Sequence, residues 1–427
     1  MKFSSTKALV TQTQLAPLVD SLDPYRKQLS AVAKKTDYLE PESSIQLPGD
    51  GDLLKRMKAA AKRLHTPTLQ YVIVIGIGGS NLGTQAVYEA IAGSMNLLAD
   101  RLPKLLFLDT VTDEKMTAVT RVLERLATKD DFLVVVISKS GTTTEPVANM
   151  EVLWEFCREH FKNAHDRFVF ITDEGTKLWE VARERKLEAF TVPDQVGGRY
   201  SVFSAVGLLP LALSGINIEE LLDGARQAVQ DGVTASPQNN HSIISACLTF
   251  QHLQAGRPIH NTFLFSPKFE ALGKWYRQLV AESLGKDGKG ITPIVSIGST
   301  DLHSMAQLYW SGPDDKFTHL VFSFTGTVHS IPQHLVLPGL VANLQGASLE
   351  KIMRAVYGGV QAAYEKIDRP YVEIDLGKAD AWELGYYLQF RMLEVMYLAR
   401  LMEVNAFDQP AVEMYKSVTR ELLKSLD

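Results

Sequence analysis

The segment VVVISKSGTTTEP, residues 134–146, joins a run of apolar residues to an unusual density of hydroxyl groups. The hydroxyl-bearing residues of this loop are Ser138, Ser140, Thr142, Thr143 and Thr144. The apolar run predicts a buried strand, and Pro146 favours a helix start directly after the loop. Backbone N–H groups at a helix N-terminus, surrounded by hydroxyls, can hold an anion without an arginine. The pattern therefore predicts that this hydroxyl loop, residues 138–144, binds a phosphate group.

Simpler explanations of the hydroxyl loop do not account for its number of hydroxyl groups. A helix N-cap uses one hydroxyl and does not need several. The nucleotide-binding pattern G-x-x-x-x-G-K-[ST] is absent, and so is the magnesium-binding apparatus that accompanies it. Lys139 either adds positive charge to the loop or faces solvent, and the sequence leaves both open.

A second loop, GIGGSNLG at residues 76–83, also lies between a predicted strand and a predicted helix. Dinucleotide-binding loops need G-x-G-x-x-G, but Asn81 stands at the third glycine position. A nicotinamide cofactor is therefore disfavoured, and a tight turn explains one or two of the glycines. Gly79 and Ser80 remain, and they offer bare backbone and a hydroxyl to an anion or a sugar.

Proton transfer beside a carbonyl group needs a carboxylate base and a group that stabilises the enediolate. Gln278 and Glu282 lie four residues apart in a predicted helix and therefore share one face. The helix is predicted to end at Gly285. Glu282 is thus a candidate base, although a surface acid has the same local sequence.

Four other residues are candidates that carry little weight individually. Arg199 follows two glycines, and His303 follows a predicted strand close to a helix start. Gln409 and Lys416 are seven residues apart and lie near one face if a helix continues past Pro410. Each is also compatible with a structural or surface role, so none decides the function alone.

Strands and helices alternate along most of the chain and position these loops. Continuous apolar strands such as YVIVIGI and DFLVVVIS precede helical patterns, as in a parallel sheet covered on both faces. The pattern recurs from NTFLFSP onward, which predicts two α/β subdomains with ligands at the carboxyl ends of the strands. The predicted division is a helical segment over 1–65, subdomains over 66–195 and 196–404, and a C-terminal helix over 405–427.

Composition narrows the classes of function. The 427 residues carry a net charge of -5, which gives no electrostatic footprint for nucleic acid. Cys157 and Cys247 form neither a disulfide framework nor a zinc motif, and the ten histidines form no H-x-H or H-E-x-x-H pattern. No signal peptide and no membrane span are predicted, so a cytoplasmic location is expected.

Six motifs together resemble the glucose-6-phosphate isomerase family in its compact bacterial form. They are, in order, GIGGSNLG, SKSGTTTEP, GGRYSVFSAVGLLP, AESLGKDGKG, STDLHSMAQ and FDQPAVEMYK. The resemblance implies two three-layer subdomains of the sugar-isomerase (SIS) type, which are flavodoxin-like α/β units with parallel sheets, plus helical N- and C-terminal segments. It implies reversible conversion of glucose 6-phosphate to fructose 6-phosphate through ring opening and a cis-enediolate, in glycolysis and gluconeogenesis. It implies neither a metal nor a cofactor.

The resemblance also assigns roles to individual residues. Glu282 matches the base that moves a proton between C1 and C2, and Arg199 matches the residue that stabilises the enediolate. His303 and Lys416 match residues linked to ring opening. The substrate-binding set predicted from the loops and the resemblance is Gly79, Ser80, Ser138, Lys139, Ser140, Thr142, Thr143, Gly198, Gln278 and Gln409.

The resemblance further implies a homodimer in which His303 of one chain acts in the active site of the other. Ala411 stands where the family usually has glycine, which concerns the backbone before Lys416 more than the chemistry. Two alternatives stay open: an isomerase that also accepts mannose 6-phosphate, and a non-catalytic sugar-phosphate regulator. The joint presence of base, arginine, histidine and lysine argues against the regulator.

Overall fold

The computed structural model describes residues 1–324, 326 and 328–425. In this part of the chain the strands are β1 (Lys2–Ser4), β2 (Tyr71–Ile75), β3 (Lys104–Leu108), β4 (Phe132–Ile137), β5 (Phe168–Ile171), β6 (Glu188–Phe190), β7 (Ile259–Leu264), β8 (Thr292–Ile297), β9 (Lys316–Phe322) and β10 (Tyr371–Asp375). The helices are α1 (Gln12–Ser21), α2 (Asp23–Val32), α3 (Gly51–Leu64), α4 (Leu82–Ala92), α5 (Asp113–Leu123), α6 (Thr144–His160), α7 (Lys177–Glu184), α8 (Ala205–Leu213), α9 (Ile218–Thr234), α10 (His241–Gln254), α11 (Glu270–Leu284), α12 (Ala306–Ser311), α13 (Leu349–Lys366), α14 (Ala381–Met402) and α15 (Val412–Leu423).

The first sheet has the order β3-β2-β4-β5-β6, and all of its neighbouring strands are parallel. Every side chain of β4 is buried, because successive residues enter different layers. Leu133 and Val135 pack in the same apolar cluster as α3, α4 and α8, whereas Val134 and Val136 pack with α5, α6 and α7. The result is the predicted three-layer α/β subdomain.

The second sheet has the order β1-β10-β9-β7-β8 and is parallel except for β1, which is antiparallel to β10. Successive side chains of its strands also point to opposite faces of the sheet. Leu264 lies in the central apolar cluster, and Phe263 packs with Tyr357 of α13 on the other face. The prediction of two three-layer subdomains is confirmed. The N-terminal segment, which was predicted to be helical, also contains the short strand β1. Three residues are too few to show a strand period in the sequence, and this strand forms by pairing with β10.

One apolar cluster joins the inner faces of the two sheets. Within it α4 packs against α11, and α14 packs against α9 and α10. α14 is buried along nearly its whole length. The packing of α4 against α11 brings the loops of the first sheet next to the helix that carries Gln278 and Glu282.

None of the helices formed by the described residues combines the length and the hydropathy that a membrane span requires.

Candidate active site

The glycine loop and the hydroxyl loop emerge side by side at the carboxyl edge of the first sheet. β2 and β4 are parallel neighbours in which Ile75 pairs with Val136. The loops that follow them therefore leave the sheet at the same level, as predicted for a ligand site in an open α/β sheet. Ser138, the first residue after β4, is buried, and Thr142 is exposed at the loop's tip.

The hydroxyls of the second loop converge on one another. Ser138 Oγ donates to Thr143 Oγ1 at 3.3 Å, and Ser140 Oγ lies 3.4 Å from the same atom. Thr142 Oγ1 donates to Ser140 Oγ at 3.2 Å. Thr143 is the N-cap of α6, yet its side chain makes no capping hydrogen bond. The hydroxyls are therefore not consumed by capping, and they cluster at a positive helix end that favours an anion.

The helix after this loop begins at Thr144, two residues before Pro146, so the proline lies in the first turn. Lys139 does not face solvent freely, because its Nζ donates to the backbone oxygens of Asp194 and Val196. It thereby ties the hydroxyl loop to the segment that leads to Gly198.

Asp173 lies beside the hydroxyl loop and was not singled out from the sequence. It follows β5, and its backbone N–H donates to the carbonyl oxygen of Lys139 at 3.0 Å. Burial raises the pKa of the Asp173 carboxyl to about 6, against the opposing effect of the nearby Lys139 charge. An acidic residue after a strand is a common sequence feature, so only the burial of Asp173 in the folded protein distinguishes it from other such residues.

Gly79 and Gly198 are in direct backbone contact. A Cβ atom built on Gly79 would lie 2.1 Å from the carbonyl carbon of Gly198, so no side chain fits there. A Cβ atom on Gly78 would lie 2.9 Å from Nε2 of Gln278, and φ of that glycine is +58°. The glycines thus do more than form a turn: they let the loop after β2 touch both the Arg199 segment and α11.

Arg199 is the centre of the site and is only 2% exposed. Its Nε donates to Ser283 Oγ at 2.8 Å, and its Nη2 donates to the carbonyl oxygens of Ala406 and Asp408 at 2.6 and 3.1 Å. Its Nη1 donates to Gln409 Oε1 at 2.7 Å and faces Glu282 Oε2 at 3.4 Å. A guanidinium held by so many partners keeps its position without reorganisation.

Glu282 lies between this arginine and Gln278. Gln278 Nε2 donates to Glu282 Oε1 at 3.0 Å, which confirms the predicted shared face of α11. The side chain of Glu282 is 33% exposed, in contrast to the buried Arg199. The carboxylate therefore has its cationic partner on the protein side and open space on the other, as a base that meets a ligand requires.

Two residues that support Arg199 were missed from the sequence. Ser283 accepts from Arg199 and lies 3.1 Å from the hydroxyl of Tyr200. Both are buried, and burial raises the pKa of Tyr200. The sequence signal that could have identified them is their position, since Tyr200 directly follows Arg199 and Ser283 directly follows Glu282.

Among the described residues, no contact joins His303 or Lys416 to this cluster. His303 is exposed, and in the described part of the chain its hydrogen bond is from the backbone N–H to the Thr300 carbonyl at 3.1 Å. Lys416 pairs with Glu413 at 2.8 Å. The condition for a shared helix face of Gln409 and Lys416 is not met, because α15 begins only at Val412 and leaves Gln409 outside the helix. The Gln409 amide oxygen instead accepts from Arg199.

This chain is similar to known proteins over most of its length. A family model described as phosphoglucose isomerase matches residues 52–427. A probable glucose-6-phosphate isomerase of Haloarcula marismortui is 36% identical over 355 residues, which cover 83% of this chain and 78% of that protein.

Solved structures share the fold over the whole length. A hypothetical protein from Thermus thermophilus aligns with a TM-score of 0.85 at 28% identity, covering 99% of both chains. A glucose-6-phosphate isomerase from Chlamydia trachomatis aligns with a TM-score of 0.82 at 21% identity, covering 99% of this chain and 88% of that one. The present chain belongs to the phosphoglucose isomerase family.

Proposed function

We propose that this protein interconverts glucose 6-phosphate and fructose 6-phosphate, with Glu282 as the base that moves the proton. The observation that carries the proposal is the Glu282 carboxylate, which lies between the Gln278 amide and the buried Arg199 guanidinium. Family membership supports the reaction, and the contacts of these residues support their roles.

The hydroxyl loop binds the phosphate of the sugar. The hydroxyls of Ser138, Ser140, Thr142 and Thr143 surround the N-terminus of α6, where the helix dipole adds attraction for a dianion. Gly79, Ser80 and Gly198 present backbone and a hydroxyl at the edge between this loop and Arg199. Binding the phosphate here holds the reacting carbons of the sugar toward α11.

The proton moves between C2 and C1 of the open-chain sugar. Starting from the aldehyde, Glu282 removes the C2 proton, and the electron pair passes to the C1 carbonyl oxygen to give an enediolate. The C2 hydroxyl proton passes to the C1 oxygen, the C2–O bond becomes the ketone, and the same carboxyl returns the carbon-bound proton to C1. Arg199 stabilises the negative charge of the intermediate, and Gln278 and Gln409 orient the carboxylate, the arginine and the sugar hydroxyls.

Ring opening is assigned to His303 and Lys416, with His303 supplied by a second copy of the chain. The His303 imidazole is exposed, and in the part of the chain that the structure describes it has no bond to its own Glu282 cluster, which supports this assignment. Exposed apolar residues concentrate in the segment 328–341, and this concentration supports a homodimer; they are Val328, Val336, Leu337, Leu340 and Val341. The cytoplasmic location stays a prediction from the sequence.

The test is an assay in heavy water with purified enzyme, fructose 6-phosphate and a chelator, without added cofactor. We expect glucose 6-phosphate to form, and we expect solvent deuterium at C2 of this product, because the proton passes through an exchangeable carboxyl group. Mannose 6-phosphate, measured in parallel, decides whether the C2 epimer is also a substrate. Absence of turnover, with or without the chelator, would leave a sugar-phosphate-binding regulator. Turnover that the chelator abolishes, with no deuterium in the product, would remove the enediolate mechanism.

A further inference from the structure

The segment GKDGKG, residues 285–290, forms a tight turn at the C-terminal end of α11. Asp287 and Gly288 adopt positive φ values of 53° and 71°, and Lys286 and Lys289 pair across the turn. The Lys286 N–H donates to the Lys289 carbonyl at 3.0 Å, and the reverse bond is 2.8 Å. The two lysines nevertheless differ in their surroundings: the side chain of Lys286 is 9% exposed, and that of Lys289 is 46% exposed.

Lys286 joins the end of α11 to the connection between α14 and α15, which we call the C-terminal connection (residues 403–411). Its Nζ donates to the carbonyl oxygens of Ser283, at 3.1 Å, and of Asn405. The same ammonium pairs with Asp408 Oδ1 at 3.0 Å. Asp408 Oδ2 accepts from Asn405 Nδ2 at 2.9 Å, so both carboxylate oxygens are used.

Arg199 binds the same stretch from the other side. Two of its acceptors are the carbonyl oxygens of Ala406 and Asp408, and a third is the side chain of Gln409. The ring of Tyr200 also lies 5.7 Å from that of Phe407. The place of Arg199 and that of the C-terminal connection are therefore set jointly, and Asp408 belongs to both networks.

We infer that Lys286 and Asp408 are positioning residues for the proposed reaction: their contact holds the C-terminal connection where Arg199 and Gln409 face Glu282. The inference rests on the proposed function. Lys286 lies four residues after Glu282, in the turn directly after α11. Its contact with Asp408 therefore fixes the C-terminal connection relative to the helix that carries the base. A shift of about 1 Å in such a group costs on the order of 100-fold in rate.

The simpler role of a lysine at a helix end is to bind the last carbonyl groups and stabilise the helix. Lys289 fits that role, since it donates to the Met402 carbonyl at 2.9 Å and is half-exposed. The two roles have different signatures. A cap changes the free energy of unfolding and leaves kcat alone, whereas a positioning residue changes kcat in protein that is fully folded.

The experiment compares Lys286→Met with Lys289→Met in the full-length enzyme, using fructose 6-phosphate as substrate. We expect Lys286→Met to lower kcat about tenfold or more, with KM changed less than about threefold, because the hydroxyl loop lies in the other subdomain. Lys286→Arg, which keeps the charge and the donors, should recover part of the loss. Lys289→Met should stay within about twofold of wild type.

Asp408→Asn is the second variant, because it keeps the backbone carbonyl for Arg199 and removes only the ion pair. We expect a loss in kcat of the same kind, and the double variant Lys286→Met/Asp408→Asn should lose no more than the worse single variant. Wild-type kcat in folded Lys286→Met or Asp408→Asn, or equal losses in Lys289→Met, would overturn the inference. An inactive wild-type enzyme would instead count against the proposed function.

Discussion

Glu282 and Arg199 are 83 positions apart in sequence, and Oε2 of the carboxylate lies 3.4 Å from Nη1 of the guanidinium. The arginine is buried and donates hydrogen bonds to four other acceptors, whereas the carboxylate is partly exposed to solvent. The contact is long for a hydrogen bond, so the carboxylate is attracted by the cation without being held rigidly by it. This leaves Glu282 able to accept a proton while the arginine stays ready for a developing oxyanion.

Replacement of Glu282 by glutamine is expected to remove turnover and spare binding. The amide keeps the shape and loses the basicity, and loss of a general base costs on the order of 10²–10⁴-fold in kcat. Steady-state kinetics with fructose 6-phosphate, and titration with sorbitol 6-phosphate, measure the two quantities. Glu270→Gln on the same helix is the matched control, since Glu270 is exposed and pairs with Lys274. Near-normal kcat in Glu282→Gln would exclude it as the base.

Replacement of Thr143 by valine is expected to raise KM more than it lowers kcat. Thr143 Oγ1 is the atom on which the hydroxyls of Ser138 and Ser140 converge. A lost hydrogen bond to a charged group is worth about 1.5–3 kcal/mol, and a phosphate contact far from the reacting carbons acts in ground and transition state alike. Thr117→Val, on the exposed face of α5, serves as control. An unchanged KM in Thr143→Val, Ser138→Ala and Ser140→Ala would place the phosphate elsewhere.

Mixed dimers of Glu282→Gln and His303→Ala chains are expected to regain activity that neither variant has alone. If His303 serves the partner's site, a mixed dimer has one site with both lesions and one with neither. Random pairing makes half of the dimers mixed, so co-refolding should restore about a quarter of wild-type activity. Native mass spectrometry counts the mixed dimers. Their presence without recovered activity would place His303 in its own chain's site or outside the chemistry.

The free energy of unfolding is expected to fall with pH below about 6.5, in part because of His252. This histidine is buried, its Nε2 bonds the Ala8 carbonyl at 2.8 Å, and burial lowers its pKa to about 4. Between pH 6.5 and about 4 the unfolded chain binds a proton there that the folded chain does not, so stability is present above this window and lost as pH falls. The slope is about 1.4 kcal/mol per pH unit.

The matching variant is His252→Gln, whose amide keeps a donor for the Ala8 carbonyl and does not titrate. Urea unfolding at pH 6.5 and pH 5.0 should show wild type losing about 2 kcal/mol more than this variant. His160→Gln, at an exposed position, should follow wild type. Parallel pH dependence in wild type and His252→Gln would mean that the imidazole is protonated in the folded state as readily as in the unfolded one.

Local sequence determined the parts of this protein that depend on neighbours along the chain. The apolar runs of β2 and β4, the hydroxyl loop at the start of α6, and the pairing of Gln278 with Glu282 all follow from strand and helix periods. These features could be predicted because period, capping and turn chemistry act over a few residues.

Tertiary packing decided the rest of the site. The contacts of Arg199 with Glu282 and Gln409 span 83 and 210 positions, and they exist because α4 packs against α11 and Gly79 touches Gly198. The pairing of Lys286 with Asp408 and the addition of β1 to the second sheet depend in the same way on where whole elements meet. No period within the chain carries that information, since a hydrogen bond between distant residues forms only after the apolar surfaces beneath them have been buried.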